Sequence, residues 1–344
     1  MTNNPKSHSR INRVVTQFQP HSDYQPLSTI GIGTFGAVFL AKDKQDKKVA
    51  IKKVCLDPHF KNRELDLVEK LDHPNCLRYI THYTTNEGKN NDLYLHLVTE
   101  YLPGSLSSFL THSPFPPPIF VKTFGYQLFA SLAYLHHFGV CHRDIKPSNV
   151  LVNPETGELQ LCDFGSAKFL RSDEISVSYI ATRSYRAPEL LLDCPIYTTA
   201  IDVWAAGCVL CEMFLQGKQM FTGMNNNELM NCISRTIGAP KQAEIDSYVH
   251  KKKYAYLGPR PGNLRDALPK WVPPEFANLL DTIFVYTPAK RATAADCMKH
   301  PFFADLFEAD TKLPNGAPLP AYFAKIRTPE EMFRNFPNGP IPPR

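Results

Sequence analysis

No apolar run in this 344-residue chain approaches 18 residues, so nothing in it reads as a membrane span. The first ten residues, Met1 to Arg10, are polar where a secretory signal would carry an apolar core. A long Lys/Arg block is missing too. The formal charge of +5 is spread thinly, and the nearest thing to a cluster, Lys251-Lys252-Lys253, is explained by a solvated loop. Neither nucleic acid nor a membrane is an expected partner. Cysteine is present without a framework: nine thiols, an odd number at irregular spacing, point to reduced cysteines and a cytoplasmic or nuclear compartment. The C-x-x-C at Cys208 to Cys211 has no second pair and lies in the near-continuous apolar run Ile201 to Leu215. Helix core explains it better than zinc. What remains is ordinary globular composition, 43% apolar and 21% charged, long enough for one large domain or two moderate ones.

The most informative stretch is His142-Arg143-Asp144-Ile145-Lys146-Pro147-Ser148-Asn149, followed by Asp163-Phe164-Gly165. Between them, Val150-Leu151-Val152, a Pro/Gly turn at 153–157 and Leu159 to Cys162 read as strand, turn and returning strand. Such a hairpin brings Asp144, Asn149 and Asp163 to one end of a small sheet. Two acids and an amide there make a hard oxygen site of the kind magnesium takes, with one carboxylate left for a hydroxyl proton. Either tripeptide alone reads as an ordinary loop. The full spacing leaves that reading little room.

Residues 1–24 read as a partly ordered leader. The G-x-G-x-x-G within Ile30 to Leu40 is weak by itself, because dinucleotide-binding folds share it. A dinucleotide unit would enter a helix next, but Ala37-Val38-Phe39-Leu40 is β-prone, a charged turn follows, and Val49 to Val54 reads as another strand. Antiparallel strands joined by a glycine loop suit a flap over phosphates. Lys52, half-buried on that strand, needs a counter-charge. Glu64 shares a helical stripe with Leu67, Val68 and Leu71, where an unpaired carboxylate is costly. A Glu at a stripe's edge can reach water, but the upstream V-A-I-K favours the ion pair.

Leu93-Tyr94-Leu95 and Leu97-Val98-Thr99 read as two short strands ending the first lobe at Glu100 to Leu102, whose backbone can meet an adenine edge. Phe124, Leu128, Leu132 and Leu135 space as a buried helix feeding His142, and helix-like stretches recur at 201–215, 227–237 and 276–284. Ser178 and Tyr179 lie in a hydroxyl-rich segment suited to phosphorylation, which ends at Arg186-Ala187-Pro188-Glu189. Glu189 and Arg291 are candidates for a buried pair. The tail beyond Leu306 is expected to pack in part and fray in part.

In order over about residues 25–304, G-I-G-T-F-G-A-V, V-A-I-K-K, H-R-D-I-K-P-S-N, D-F-G and A-P-E resemble the eukaryotic protein kinases. Arg186 before A-P-E is similar to the subgroup of cyclin-dependent, mitogen-activated and glycogen synthase kinases. F-K-N-R-E-L (60–65), L-C-D-F-G-S-A-K (161–168), V-S-Y-I (177–180) and K-L-P-N-G (312–316) resemble the glycogen synthase kinase 3 family. The resemblance implies an α+β, two-lobed protein kinase fold. A β-rich N-lobe with one key helix would span about 25–102, a mostly α-helical C-lobe about 103–304, and an extension 305–344. It implies ATP and Mg2+ as cofactors and Ser/Thr of pre-phosphorylated proteins as substrates. Asp144 would accept the hydroxyl proton, with Lys146 beside the phosphoryl group, and Lys52 would hold the α/β-phosphates, oriented by Glu64. Asn149 and Asp163 would hold metal. ATP would be contacted by Ile30, Gly31, Gly33, Phe35, Gly36, Val38, Ala50, Lys52, Thr99, Glu100, Leu102 and Leu151. By the same resemblance Arg63, Arg143 and Lys168 would hold a priming phosphate four residues C-terminal to the target, and Tyr179 would be the activation-loop phosphosite.

The chain also departs from that pattern. Ser184 stands where the family has an aromatic, and Thr99 replaces a leucine beside the adenine site. Ser7 and Ser9 lack the family's arginine-led inhibitory motif. Lys241 to Arg265 diverges where the family binds scaffold proteins on the C-lobe. Two rivals stand beside this reading. A proline-directed kinase is disfavoured because no T-x-Y precedes Ile180, and an inactive scaffold because Lys52, Glu64, Asp144, Asn149 and Asp163 are all present.

Overall fold

The computed structural model describes residues 18, 21–33, 36–56, 63–87, 91–171, 174–248 and 261–341. The chain divides into two compact units. One runs to Leu71 and resumes over Leu77–Tyr101; the other comprises Asp72–Cys76 and the chain from Leu102 onward. The first is a sheet with one helix and the second is mostly helical, an α+β arrangement.

In the first unit, β1 (Gln25–Gly33), β2 (Gly36–Lys42), β3 (Lys48–Cys55), β4 (Tyr79–Glu87) and β5 (Asp92–Glu100) form an antiparallel sheet in the order β1-β2-β3-β5-β4. Side chains alternate with period two, so Ala37, Phe39, Ala41, Val49 and Ile51 fall on one face, all buried. Phe18 meets Phe39 edge-on there at 5.4 Å, and Tyr24 and Tyr83 pack beside Ala41, Val49, Ile51 and Val98. The opposite face carries Val38, Ala50 and Lys52, set by the pairings Val38↔Lys52, Leu40↔Ala50 and Ala50↔Thr99. The two short strands expected at 93–99 are one strand, β5. His96 between them does not break the run, because it is buried and within 2.8 Å of the Thr85 hydroxyl. β4 escaped the sequence reading: Thr and His stand on both its faces and blur the alternation.

The helix α1 (Arg63–Val68) carries Glu64, Leu67 and Val68, but Leu71 lies past a turn at Glu69-Lys70 and is not part of it. The second unit is built on α3 (Pro118–His137), buried almost throughout from Phe120 to Leu135. Around it lie β6 (Gly104–Ser105), α2 (Leu106–His112), β7 (Val140–Cys141), β8 (Val150–Asn153), β9 (Glu158–Leu161), β10 (Lys168–Phe169), α4 (Pro188–Leu191) and α5 (Ala200–Phe214). Further on come α6 (Asn226–Ile237), α7 (Gln242–Asp246), α8 (Pro274–Ile283), α9 (Ala294–Met298) and α10 (Pro329–Asn335). A Cβ on Gly207 of α5 would lie 2.6 Å from Ile283 of α8, so glycine sets how closely these helices approach. Cys208 and Cys211 are buried in α5, and none of the nine cysteines forms a disulfide. Glu189 and Arg291 form a bidentate pair at 2.8 and 3.0 Å. The tail packs along α3 further than its composition suggests. Tyr126 donates to the carbonyls of Ile326 and Arg327, and Tyr134 to that of Asn338. No helix among the described residues is long and apolar enough to cross a membrane.

Candidate active site

The hairpin expected after Asn149 is present as β8 and β9, closed by Val150↔Leu161. The Cys162 N–H donates to the Asn149 carbonyl at 2.9 Å, which places Asn149 and Asp163 side by side at the sheet's open end. The loop before β8 is held from behind by α5. Asp202 accepts the backbone N–H groups of His142 and Arg143, both at 2.8 Å, and its Oδ2 lies 3.0 Å from His136 Nε2. Arg143 is in the left-handed region at φ 68, a conformation a non-glycine residue keeps only when its surroundings enforce it. Burial works against charge on Asp202, yet the hydrogen bond and charge of His136, with His142 and the Arg143 N–H, outweigh it and hold the carboxyl below its ordinary range. His142 bridges the two parts of the site. Its Nδ1 faces the Asp144 N–H at 3.3 Å and its Nε2 faces the Cys162 carbonyl at 3.0 Å.

Asp144 is gripped from several sides. Oδ2 accepts from Lys146 Nζ at 2.7 Å and Asn149 Nδ2 at 3.2 Å, while Oδ1 accepts from the Thr182 hydroxyl at 3.0 Å and its N–H at 3.1 Å. Lys146 also donates to the Thr182 hydroxyl. Asn149 spends its amide nitrogen on Asp144, donating to the backbone carbonyl at 2.8 Å as well, so its Oδ1 points the other way. Asp163 takes φ 62 and ψ 70 just before the Phe164–Ser166 turn, and buried Phe164 packs edge-on against His142 at 5.1 Å.

In the first unit, Lys52 Nζ donates to both oxygens of Glu64 at 2.8 Å, the pair expected from the stripe argument. Val38, Ala50 and Thr99 share the face of Lys52, and Thr99 is buried with its hydroxyl 3.5 Å from the Ala50 carbonyl. The flap glycines differ in why they are glycine. A Cβ on Gly36 would fall 2.1 Å from the Lys53 carbonyl, so the sheet itself requires that residue. At Gly31 and Gly33 the nearest atoms would be 3.7 and 4.0 Å away, so internal packing demands no glycine there. Ile30 is exposed; Glu100, Leu102 and Leu151 are intermediate; Phe35 lies outside the described residues, as do Ser7 and Ser9.

Of the three cations assigned to a priming phosphate, Arg143 and Lys168 are joined through one polar cluster. Arg143 Nη1 donates to the Tyr197 hydroxyl at 3.1 Å, Tyr197 interacts with Ser176, and Lys168 donates to Ser176 Oγ at 2.8 Å. Lys168 also binds Glu174 at 2.8 Å. Arg63 is exposed at the start of α1, in the other unit. Tyr179 is exposed, with the Arg186 guanidinium 4.2 Å from its ring centre. Hydrogen bonds from Arg186 and then Arg183, with their charges, hold its hydroxyl below the ordinary phenol range. The stretch 249–260, within the region where scaffold binding was expected, lies outside the described residues. Among the described residues no group of three or more His, Cys, Asp or Glu could hold a metal ion alone.

Sequence reasoning missed Asp202, Thr182 and Tyr197 as parts of the site. Asp202 had a readable signal, a lone carboxylate at the head of an apolar helix, which is costly unless something pairs with it. Thr182 and Tyr197 had none.

The site thus gathers a gripped carboxylate with a lysine two residues on, a neighbouring amide, and a second acid across a hairpin. Residues 24–303 match the protein kinase domain family, and the chain belongs to that family. Over 314 residues it is 43% identical to glycogen synthase kinase 3 of Trypanosoma brucei brucei (strain 927/4 GUTat10.1), covering 88% of this chain and 89% of that protein. It is accordingly a protein serine/threonine kinase of the glycogen synthase kinase 3 family.

Proposed function

We propose that this kinase transfers the γ-phosphoryl of ATP to Ser or Thr in proteins that already carry a phosphate four residues C-terminal to the target. The observation that carries the priming half is the cluster Arg143–Tyr197–Ser176–Lys168. It sets two cations in one polar patch, one of them next to Asp144 in sequence. With Arg63 as the third, the set matches a phosphate dianion, which favours several charge-assisted bonds.

Asp144 is assigned as acceptor of the substrate hydroxyl proton. Lys146 and Thr182 fix its carboxylate so that one geometry is presented. Lys146, which donates to Asp144 at 2.7 Å, is assigned beside the group in transfer. Lys52, oriented by Glu64, is assigned to the α/β-phosphates. The nucleotide is assigned to Ile30, Gly31, Gly33, Gly36, Val38, Ala50, Thr99 and Glu100 of the first unit and Leu102 and Leu151 of the second. Room for a Cβ at Gly31 and Gly33 supports this, since a ligand approaching the backbone explains a glycine that packing does not. The amide oxygen of Asn149 and the carboxylate of Asp163 are hard donors that fit Mg2+. The ion, when bound, neutralises phosphate charge. Tyr179, beside Arg183 and Arg186, is assigned as a phosphosite because two guanidinium groups there would meet a phosphate. Nine cysteines without a disulfide suit a reducing compartment, cytoplasm or nucleus.

Paired peptides with and without phosphoserine at the fourth position test this. Wild-type enzyme is expected to favour the primed peptide, and Arg63→Ala to reduce that preference about tenfold or more. Equal kcat/KM losses on both peptides would remove the anion pocket.

A further inference from the structure

β9 runs straight into Cys162 and Asp163, and it is the outer strand of the sheet β6-β8-β9. An outer strand leaves one row of backbone groups without a ladder. Two buried residues, Gln127 and Asn75, take up that row here. Gln127 of α3 accepts the Leu159 N–H at 2.9 Å and donates to the Gly157 carbonyl at 2.8 Å. Asn75 donates to the Leu159 carbonyl at 2.9 Å, and its own backbone carbonyl accepts the Leu161 N–H at 2.8 Å. The C-terminal extension closes this arrangement. The Tyr322 hydroxyl donates to Gln127 Oε1 and accepts from Asn75 Nδ2 at 3.2 Å, so one group ties both amides.

The same extension holds the hairpin's turn. Asn315 Nδ2 donates to the Glu155 carbonyl at 2.9 Å, and its Oδ1 accepts the Ala317 N–H at 3.0 Å, which fixes the amide's orientation. Leu313 is buried and presses on Gly157, where a Cβ would fall 2.9 Å from its Cδ2. Gly157 also takes φ 71, so backbone and tail alike require glycine there. A tail that merely covered apolar surface would not spend an amide and a phenol on one hairpin. The other end of that hairpin carries Asn149 and Asp163, four paired rungs from the turn, roughly 10 Å of strand. So short a ladder carries a tilt set at its turn and outer edge to its open end. We propose that Leu313–Tyr322 is a clamp on the β8–β9 hairpin, with Tyr322 and Asn315 as positioning residues for Asn149 and Asp163. The inference rests on the reading of those two as magnesium donors, and it adds what holds them at a fixed separation. Groups behind a metal's ligands set affinity because they decide where the ligands point.

Tyr322→Phe removes one oxygen and keeps the ring. In protein free of metal and nucleotide, hydrogen exchange at the Leu159, Leu161 and Cys162 amides is expected to quicken about fivefold, the scale of one hydrogen bond. Exchange in α5 should not change. The Mg2+ concentration that gives half-maximal turnover should rise by a similar factor, about fivefold. Asn315→Ala, a change at an exposed side chain, should reproduce both effects at about threefold. Should Tyr322→Phe not fold, Asn315→Ala carries the test. Unchanged exchange at the hairpin in either folded variant overturns the clamp. Quickened exchange with an unchanged magnesium requirement does the same, since the extension would then be a brace and no more, as does a rise that includes α5. Loss of turnover in Asp163→Ala checks the metal reading separately.

Discussion

On β3, Lys52 and Lys53 are neighbours that point to opposite faces of the sheet. Lys52 meets Glu64 with 23% and 11% of their side chains exposed; Lys53 meets Glu87 at 2.6 Å with 0% and 5%, under the Tyr94 ring. The second unit repeats the contrast. Asp144 and Lys146 are 16% and 25% exposed, whereas Glu189 and Arg291 are 2% and 0%. A sealed pair has already given up its water and has no room to trade its partner for a ligand, so its loss strands a buried charge. A half-open pair keeps a route to solvent and can lend a donor or acceptor to something that arrives. Residue type is the same in both cases. Exposure separates chemistry from architecture.

The largest effect should come from breaking the open set. Lys52→Met or Asp163→Ala is expected to lower kcat about a thousandfold, near 4 kcal/mol of barrier, with the melting temperature almost unmoved. A radiolabel transfer assay beside a thermal melt reads both, and retained turnover in Asp163→Ala would sink its metal assignment. The mirror experiment is Arg291→Met, which strands Glu189 and should cost about 3–5 kcal/mol, or roughly 10 °C of melting temperature. A melt within 2 °C or so of wild type would mean that the sealed pair is not what holds that corner.

Glu212 is a third kind of case, buried like the sealed pairs but without a cation. Burial pushes its carboxyl up from 4.5 to about 7, with the Tyr185 hydrogen bond opposing less strongly. The folded state therefore binds the proton more tightly than the unfolded one. Its stability contribution is fully present below about pH 4.5 and drains away as pH rises to about 7, by an amount of order 3 kcal/mol. Denaturation midpoints between pH 5 and 8 should fall in wild type and flatten in Glu212→Gln; matching slopes would contradict the assignment. The smallest effect concerns an exposed pair. Glu174 binds Lys168, and under the proposed priming site it would compete with the phosphate there, so Glu174→Gln should raise kcat/KM for primed peptides about twofold, the scale of a surface ion pair. A fall instead would make Glu174 part of the recognition.

Much of the site was legible because its parts are close in sequence. Asp144, Asn149 and Asp163 lie within twenty residues, and the strand–turn–strand between them is read from local patterning. Glu64 was legible for a different reason: a carboxylate on an apolar stripe asks for a partner. Asp202 reaches the Arg143 N–H from 59 residues away and Thr182 reaches Asp144 from 38; the apolar helix around Asp202 asks for a partner without saying which, and nothing local announces Thr182. Element ends fared worst. α1 stops before Leu71 at an exposed turn, Glu69-Lys70, and β5 runs through the His96 that had split it, because His96 is buried in the sheet.

Taken by itself, the order of residues determined the inventory: which acids, amide and lysines are available, at what spacing, and that Lys52 and Lys53 must face opposite ways because a strand alternates. Which of those two faces is closed to water was decided only by the tertiary structure. That depends on Phe18, Tyr24 and Tyr83 arriving from other strands and from the leader to cover the Lys53 side. Side-chain direction is a property of the local backbone, whereas desolvation is a property of everything that packs against it.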